Sequence, residues 1–300
     1  MAPSQQFPGS RCRARAILSG DTGCDHKAIS CASARLKDPP LCGRLLKEAH
    51  AILMKRGRGR DKDAGNHKRN PNAIGPPGRD LKTAKFIPIA PELPENDMRV
   101  WEQYLHGEQP NPLVQLAMAH AEFEALHPFL DGNGRLGRMI IPLYLFEREM
   151  LSFPAFYLSE YLEAHKEEHT ECLLAVSRDE AWTEWVQFFL KAVAEQARVN
   201  TRKARAIINL YEQRKKWFQA KTHSQYGVAI LDFIFSQPIF RATDLGKPHG
   251  APSATPKRIL QQIRDELLFE MRPVSGRTPA IFAYQELINL AERREIFSGS

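Results

Sequence analysis

Apolar residues recur at helical spacing through most of the chain. The segment "LCGRLLKEAHAILMK" begins the first clear stripe, and similar patterns follow at 95–106, 110–126, 134–150, 159–177 and 180–218, with Pro or Gly between several of them. The last pattern is long and charged, as expected for a helix that connects two domains. The pattern therefore predicts a mainly α protein. The apolar residues of the first stripe are Leu41, Leu45, Leu46, Ala49, Ile52 and Leu53.

Three segments lack this periodicity. Residues 1–40 are rich in Ser, Arg, Gly and Cys, and we expect them to be poorly ordered. Residues 56–80 contain many Gly, Pro, Asn and charged residues, which is typical of a surface loop. The stretch "TAKFIPIAPELPEN" then reads as a short extended piece. Its prolines cannot donate ladder hydrogen bonds, so we expect an edge strand or a hairpin flap.

Residues 226–300 form a smaller predicted module. Three helical patterns precede two short apolar runs, "LLFEMRP" and "PAIFAYQ", which flank the turn-forming "VSGRT" and predict a hairpin. This order resembles a winged helix-turn-helix, with Lys257, Arg258 and Arg264 as a modest basic face for phosphates. A protein-docking winged helix is an equal alternative. The predicted organisation is thus an irregular or aberrant segment (1–40), a helical core (41–200), a connecting helix (201–225) and this module (226–300).

Composition narrows the class of protein. The 300 residues are 43% hydrophobic, yet no run of about 18 apolar residues predicts a membrane span, and no apolar stretch near the start predicts a secretory signal. We therefore expect a cytoplasmic protein. The five cysteines are odd in number and contain no CxxC pair, which favours reduced thiols. Residues 1–70 hold 15 Lys and Arg against 6 Asp and Glu, whereas the other 230 residues hold 27 against 29. The basic excess therefore gives weak support for nucleic-acid binding.

The candidate chemistry lies in "HPFLDGNGRLGR", residues 127–138. The glycine-rich loop leads into a predicted helix N-terminus, where backbone N–H groups bind anions. Arg135 and Arg138 lie three residues apart on that helix, so both guanidinium groups can face one polyphosphate. Asp131 offers an oxygen ligand to Mg²⁺, and His127 can titrate near neutral pH. A base beside a bound nucleotide predicts group transfer to a nucleophile.

This stretch resembles the Fic family signature HPFx(D/E)GNGRxxR and matches every fixed position. The resemblance covers about residues 41–200 and implies a helical core with a β-hairpin flap, often followed by a winged helix. It implies a protein adenylyltransferase, a nucleotidyltransferase that moves AMP from ATP to a Ser, Thr or Tyr hydroxyl of a target protein or of itself.

The resemblance also implies roles for individual residues. His127 would deprotonate the target hydroxyl, Asp131 would hold Mg²⁺, and Arg135 would neutralise charge toward the leaving pyrophosphate. The phosphates would be held by Gly132, Asn133, Gly134 and Arg138, and Phe129 would anchor the loop. The flap that docks an extended target segment would include Thr83, Ala84, Lys85, Phe86 and Ile87.

Many relatives carry an inhibitory helix with the pattern (S/T)xxxE(G/N), whose glutamate pairs with the second arginine. In this sequence only Glu95 precedes Gly or Asn, and Pro91 stands where Ser or Thr is needed. We therefore expect no intrinsic inhibition. In such relatives the helix lies in the region that residues 1–40 occupy here, and the unusual composition of that segment would suit an aberrant start.

Other interpretations remain open. The chain could be a winged-helix transcription regulator, with DNA as a partner and the Fic unit as a nucleotide sensor. A kinase-like Doc type is disfavoured because Gly134 and Arg135 are intact. We expect no membrane partner and leave a homodimer open. Relatives often have an aromatic pair where this chain has His169 and Thr170, so the sequence does not determine which nucleotide base is bound. The other helical histidines, His50, His106 and His120, are expected to be packed or solvated. His165 and His169 lie four residues apart and could bind a metal, but a surface position on the helix is favoured for them.

Overall fold

The computed structural model describes residues 21–36, 39–55, 62–70, 88, 94–245, 254–293 and 295–296. The chain divides into two compact units, Met1–Arg198 and Val199–Ser300. In the part of the chain that is described, none of the helices combines the length and apolar character needed to cross a bilayer. The first unit contains helices α1 (Asp21–Arg35), α2 (Gly43–Leu53), α3 (Pro94–His106), α4 (Pro112–Leu126), α5 (Asn133–Glu147), α6 (Ser159–Ala164), α7 (Lys166–Asp179) and the start of α8 (Trp182–Thr222).

Helix α1 lies in the segment that the sequence predicts to be poorly ordered. It packs against α2 and α5 through the buried side chains of Ala28, Ile29 and Ala32. Arg35 also forms an ion pair with Glu48 of α2. The prediction of disorder is therefore wrong for Asp21–Arg35. The apolar stripe of α1 is made of few and mostly small residues, so tertiary contact rather than intrinsic periodicity stabilises the helix.

Helices α4 and α5 form the centre of the first unit. Both pack against each other, and α5 also contacts α1 and α2 while α4 contacts α3 and α7. A helix that is surrounded in this way needs small or apolar residues on most sides, and the sequences of α4 and α5 have them. Asn111 begins α4 by accepting the N–H groups of Leu113 and Val114 at 3.0 and 3.4 Å, and Pro112 occupies the first turn.

A buried glutamine joins α4 to α3. The Gln115 side chain donates to the carbonyl oxygens of Tyr104, Leu105 and Gly107 at 2.7, 3.2 and 2.8 Å, at the C-terminal end of α3. These are carbonyls that a helix end leaves without intrahelical donors. The Tyr144 hydroxyl donates to the Gln115 Oε1 atom at 2.6 Å. Three helices are thus linked by one satisfied polar network.

The region after α5 differs from its sequence prediction in one respect. The pattern at 159–177 predicts a single helix, but the structure has α6 and α7 separated at His165, whose backbone is not helical. The His165 ring stacks on Tyr161 at a centroid distance of 4.0 Å. Helix α8 begins at Trp182, close to its predicted start, and the buried Trp185 donates to the Ala117 carbonyl of α4 at 2.8 Å.

The second unit has its own apolar core, which includes Phe218, Ile230, Leu231 and Phe282. The predicted hairpin is present as two antiparallel strands, β2 (Phe269–Arg272) and β3 (Ile281–Ala283). A third strand that was not predicted, β1 (Ile239–Arg241), pairs with the other side of β3, so the order is β1-β3-β2. The winged-helix interpretation itself stays a prediction. After the end of α8, the elements are α9 (Gly227–Ser236), β1 (Ile239–Arg241), a 3₁₀ turn (Ala242–Asp244), α10 (Ala254–Leu267), β2 (Phe269–Arg272), β3 (Ile281–Ala283) and α11 (Gln285–Glu292).

Candidate active site

His127 lies at the C-terminal cap of α4. Its backbone is left-handed, with φ 45° and ψ 57°, and its N–H donates to the Phe123 carbonyl at 3.1 Å. Pro128 follows and prevents the helix from continuing. A non-glycine residue in this region costs on the order of 1 kcal/mol, so the surrounding contacts must hold it there.

The His127 ring is arranged to act as a base. Its Nδ1 atom lies 3.3 Å from the Glu124 carbonyl oxygen, so the neutral ring carries its hydrogen on Nδ1 and the proton-accepting lone pair on Nε2. Burial lowers the pKa of His127 from 6.5 to about 4. The Glu124 carbonyl and the Asp131 carboxylate oppose this shift, and the positive charge of Lys68 adds to it. The imidazole is therefore neutral near pH 7 and can accept a proton.

Asn133 closes the loop that follows His127. Its side chain accepts the Phe129 N–H at 2.9 Å and donates to the Phe129 carbonyl at 2.6 Å. Asn133 is 1% exposed, and Phe129 is fully buried, as its predicted anchoring role requires. The structure thus uses the Asn133 side chain to hold the loop, and the expectation that Asn133 contacts phosphates stays a prediction. Its backbone N–H still lies in the first turn of α5, where N–H groups lack intrahelical acceptors.

Gly132 and His50 set the path of the loop. Gly132 has φ 83°, and a Cβ atom there would lie 2.9 Å from the Met54 sulfur and 3.2 Å from His50 Nε2. His50 is fully buried, and its ring stacks on Phe129 at 4.0 Å. Its Nδ1 accepts the Gly65 N–H at 2.9 Å, so Nε2 carries the hydrogen and donates to the Asp131 carbonyl at 2.9 Å. Burial lowers the pKa of His50, which keeps this bridging tautomer neutral.

Lys68 lies on the other side of the same loop. It is 2% exposed, its backbone N–H donates to the Pro128 carbonyl at 2.8 Å, and its Nζ donates to the Leu126 carbonyl at 3.3 Å. Burial lowers the pKa of Lys68 to about 8. A charged group is therefore buried directly beside His127.

A cavity of about 600 Å³ opens beside His127. Gly134 and Arg138 line it from α5, and a Cβ atom at Gly134 would lie 3.3 Å from Arg138 Nη1. Glu124 lines it from α4, where burial raises its pKa to about 7 and the charge of Arg138 opposes that rise. Apolar side chains cover another part of the wall, which suits a flat apolar group such as a nucleobase. They are Leu173, Leu174, Val176 and Trp182.

The two arginines of the motif differ in their surroundings. Arg138 is part of the cavity wall, whereas the Arg135 guanidinium lies 3.1 Å from the Met54 sulfur, and Arg135 is outside the described lining. The expectation that both groups face one polyphosphate therefore stays a prediction.

Asp131 is the motif's only carboxylate. Its Oδ1 atom accepts the Gly132 N–H at 2.6 Å. The described residues contain no cluster of three or more His, Cys, Asp or Glu side chains suited to a metal ion. Mg²⁺, however, is commonly held by one or two carboxylates, with water and substrate phosphates as its other ligands. A single carboxylate at the edge of an anion-binding loop fits that arrangement.

The remaining predicted residues have separate outcomes. His165 stacks on Tyr161, whereas His169 lies against Trp185 and Phe188, so the two rings have different surroundings. His120 is fully buried, as expected for a packed histidine, and His106 contacts the Leu41 carbonyl at 2.9 Å. The flap residues 83–87 lie outside the described part of the chain.

Three site residues were missed or given no role from the sequence: His50, Lys68 and Glu124. For Glu124 a signal existed, because a residue three positions before His127 lies on the same helix face. His50 and Lys68 offer no such signal. They lie 81 and 58 residues from the loop carbonyls that they contact.

Comparison with known proteins supports the resemblance of this segment. The model of the Fic/DOC family matches residues 40–145, the segment that contains the motif. A probable protein adenylyltransferase of Aquifex aeolicus (strain VF5) is 31% identical over 96 residues, which are 32% of this chain and 30% of that protein. A Fido domain-containing protein of Dictyostelium discoideum is 35% identical over 71 residues, 22% of this chain and 50% of that protein.

A solved structure resembles more of the chain. A Fic family protein from Desulfovibrio desulfuricans G20 aligns with 87% of this chain and 74% of its own, with a TM-score of 0.50 and 21% identity. This likeness concerns the fold alone. The sequence matches cover half or less of the two curated relatives described above.

Proposed function

We propose that the chain is a protein adenylyltransferase that transfers AMP from ATP to a hydroxyl group of a protein. The observation that carries the proposal is the position of His127. Its neutral imidazole lies at the wall of a nucleotide-sized cavity that also contains Arg138 and the N-terminal turn of α5. The adenylyltransferase names of two relatives that match part of the chain support this assignment.

The reaction requires a base, an anion cradle and an aligned nucleophile. His127 would remove the proton from a Ser, Thr or Tyr hydroxyl as its oxygen bonds to the α-phosphorus. The bond from that phosphorus to the oxygen bridging to the β-phosphorus breaks, and pyrophosphate leaves. Arg138, Arg135 and the first-turn N–H groups of α5 would stabilise the negative charge, so that catalysis rests on positioning and electrostatics.

Asp131 would hold Mg²⁺ together with the nucleotide phosphates. When bound, the ion supplies charge neutralisation for the phosphates. The Gly132 N–H donates to the Asp131 carboxylate and so holds that side chain at the edge of the loop.

Regulation of this site would differ from that of many relatives. With the inhibitory pattern missing from the sequence, Arg138 would be available to the γ-phosphate, and the protein would modify its target or itself without an activating step. Within the cavity, the charge of Arg138 acts on Glu124, and Glu122, Lys166 and Glu180 also line the wall.

The test compares ATP labelled at the α- or γ-phosphate. The full chain and Mg²⁺ are incubated with each, alone and with a cell extract. We expect protein-bound label only from the α-phosphate, and a loss of about 100-fold or more in rate for His127→Ala. His223→Ala, which changes an exposed histidine of the second unit, is the matched control and should retain full activity.

Two results would contradict the proposal. Protein-bound label from the γ-phosphate would indicate a kinase. Equal labelling by wild type and His127→Ala would remove His127 from the chemistry.

A further inference from the structure

Lys68 is the one lysine or arginine among the buried side chains of the described residues. Burying an ammonium group is costly, and the lowered pKa of about 8 reflects that cost. Other interactions of the Lys68 ammonium group must therefore offset the cost of its burial. The sequence offered none, since Lys68 lies in a polar stretch predicted to be a loop.

The contacts of Lys68 bracket His127 on both sides. Its Nζ donates to the carbonyl of Leu126, the residue before His127, at 3.3 Å. Its backbone N–H donates to the carbonyl of Pro128, the residue after His127, at 2.8 Å. Both carbonyls flank the left-handed residue, whose conformation needs external support.

We propose that Lys68 is a positioning residue for His127. Its hydrogen bonds to the carbonyls of Leu126 and Pro128 hold the left-handed backbone of His127, and its ammonium group keeps a positive charge beside the imidazole. The proposal rests on the assigned function only in that His127 is the base. A neutral side chain at position 68 would lose the Nζ contact and the charge together, whereas arginine would retain the charge.

Two charged groups act on the protonation of His127. Lys68 from the 62–70 segment opposes a proton on the ring, and Asp131 from the loop favours one. Other titratable side chains line the same cavity, and they are Glu122, Glu124, Arg138, Lys166, His169 and Glu180. Burial is the largest cause of the low His127 pKa, and Lys68 adds to it. Loss of the Lys68 charge should therefore move the His127 pKa upward, toward the value of a free imidazole.

The experiment follows the His127 ring by NMR in protein labelled at histidine Cε1, with His127→Ala used to assign its signal. In Lys68→Met we expect the His127 pKa to rise by roughly half a unit to one unit. Lys68→Arg should stay near wild type. Arg69→Met, which removes a charge from the adjacent exposed residue, is the matched control and should also leave the pKa unchanged.

A second measurement, the pH titration of the His127 signal, uses wild-type protein alone. Because the pKa of Lys68 is about 8, the neutral His127 ring should show a small additional shift centred near that pH. Transfer assays complete the test: Lys68→Met should lower kcat about 10-fold with little change in KM, and Lys68→Arg should recover most of it.

The outcomes separate the two proposals. An unchanged His127 pKa in Lys68→Met, or no inflection near the Lys68 pKa in wild type, overturns the role of Lys68. If Lys68→Met does not fold, the wild-type inflection decides. A wild-type chain that transfers no AMP but shows these NMR shifts would reject the transferase and retain the coupling.

Discussion

The two units of the molecule bury different kinds of side chain. Among the described residues, the second unit buries a single polar side chain, Thr222, which donates to the Phe218 carbonyl of its own helix at 2.7 Å. The first unit buries several, and most of them link separate elements. They are His50, Lys68, Gln115, His120, Asn133 and Gln196.

This difference separates side chains that only stabilise the fold from side chains that also shape the candidate site. An apolar core such as that of the second unit is stabilised by burial and packing alone. In the first unit, buried polar groups must find partners, and around the loop those partners are its own backbone atoms. Changes in the second unit should therefore alter stability, whereas changes in the first should alter stability and site geometry together.

The largest expected effect is a cavity in the second core. Phe240 is 3% exposed and contacts Phe233 and Phe282, so Phe240→Ala should lower the free energy of unfolding by about 3 to 5 kcal/mol. Hydrogen exchange measured on peptides should show the loss in the second unit. Val274→Ala, at an exposed position, is the control. Equal loss of protection in both units would show that they unfold together, and would contradict the expected difference between the two units.

Acid should act mainly on the first unit. Folding lowers the pKa of His50, His67, His120, His127 and His169, chiefly through burial. The unfolded chain therefore takes up more protons as pH falls from 6.5 toward 4, and the folded unit loses stability over that window.

Two carboxyls oppose this loss. Burial raises the pKa of Glu122 and Glu124, which favours the folded state as pH falls from 7 toward 4.5. Because five histidines act against two carboxyls, we expect the first unit to lose stability on balance as the pH falls. Urea unfolding followed by NMR signals of each unit, at neutral and acid pH, checks it. A greater acid sensitivity of the second unit would contradict the comparison.

A smaller effect is expected from the loop itself. Asn133→Ala leaves the buried Phe129 N–H and carbonyl without their side-chain partner, which should cost about 1 to 2 kcal/mol. Transfer activity should fall with it, because the same loop positions His127 and the α5 N-terminus. Full activity together with lower stability would show that Asn133 supports only the fold.

The smallest effect should come from the surface of the second unit. Lys221 and Glu266 form an exposed ion pair, and such pairs contribute about 0 to 1 kcal/mol. Lys221→Ala should therefore change the unfolding free energy by less than Asn133→Ala does. A larger loss in denaturant unfolding would show that the second unit also depends on charge.

Much of the helical fold was predictable, because amphipathic stripes and Pro or Gly stops are local. The predictions at 95–106 and 110–126 agree within two residues with Pro94–His106 and Pro112–Leu126. Helix α1 and strand β1 were missed, since the first has a narrow stripe and the second has three residues that pair only with β3. The break at His165 was also missed, because the apolar pattern continues across it.

The sequence by itself determined which chemical groups the loop presents and in what order. One imidazole, one carboxylate, an amide-rich turn and two arginines follow from twelve consecutive residues, and their identity does not depend on the rest of the chain. Tertiary structure decided how those groups behave. The pKa of His127, the tautomer of His50, the burial of Lys68 and the inward turn of Asn133 depend on contacts between segments far apart in sequence. Burial and hydrogen bonding across such contacts set protonation and conformation, and no local pattern encodes them.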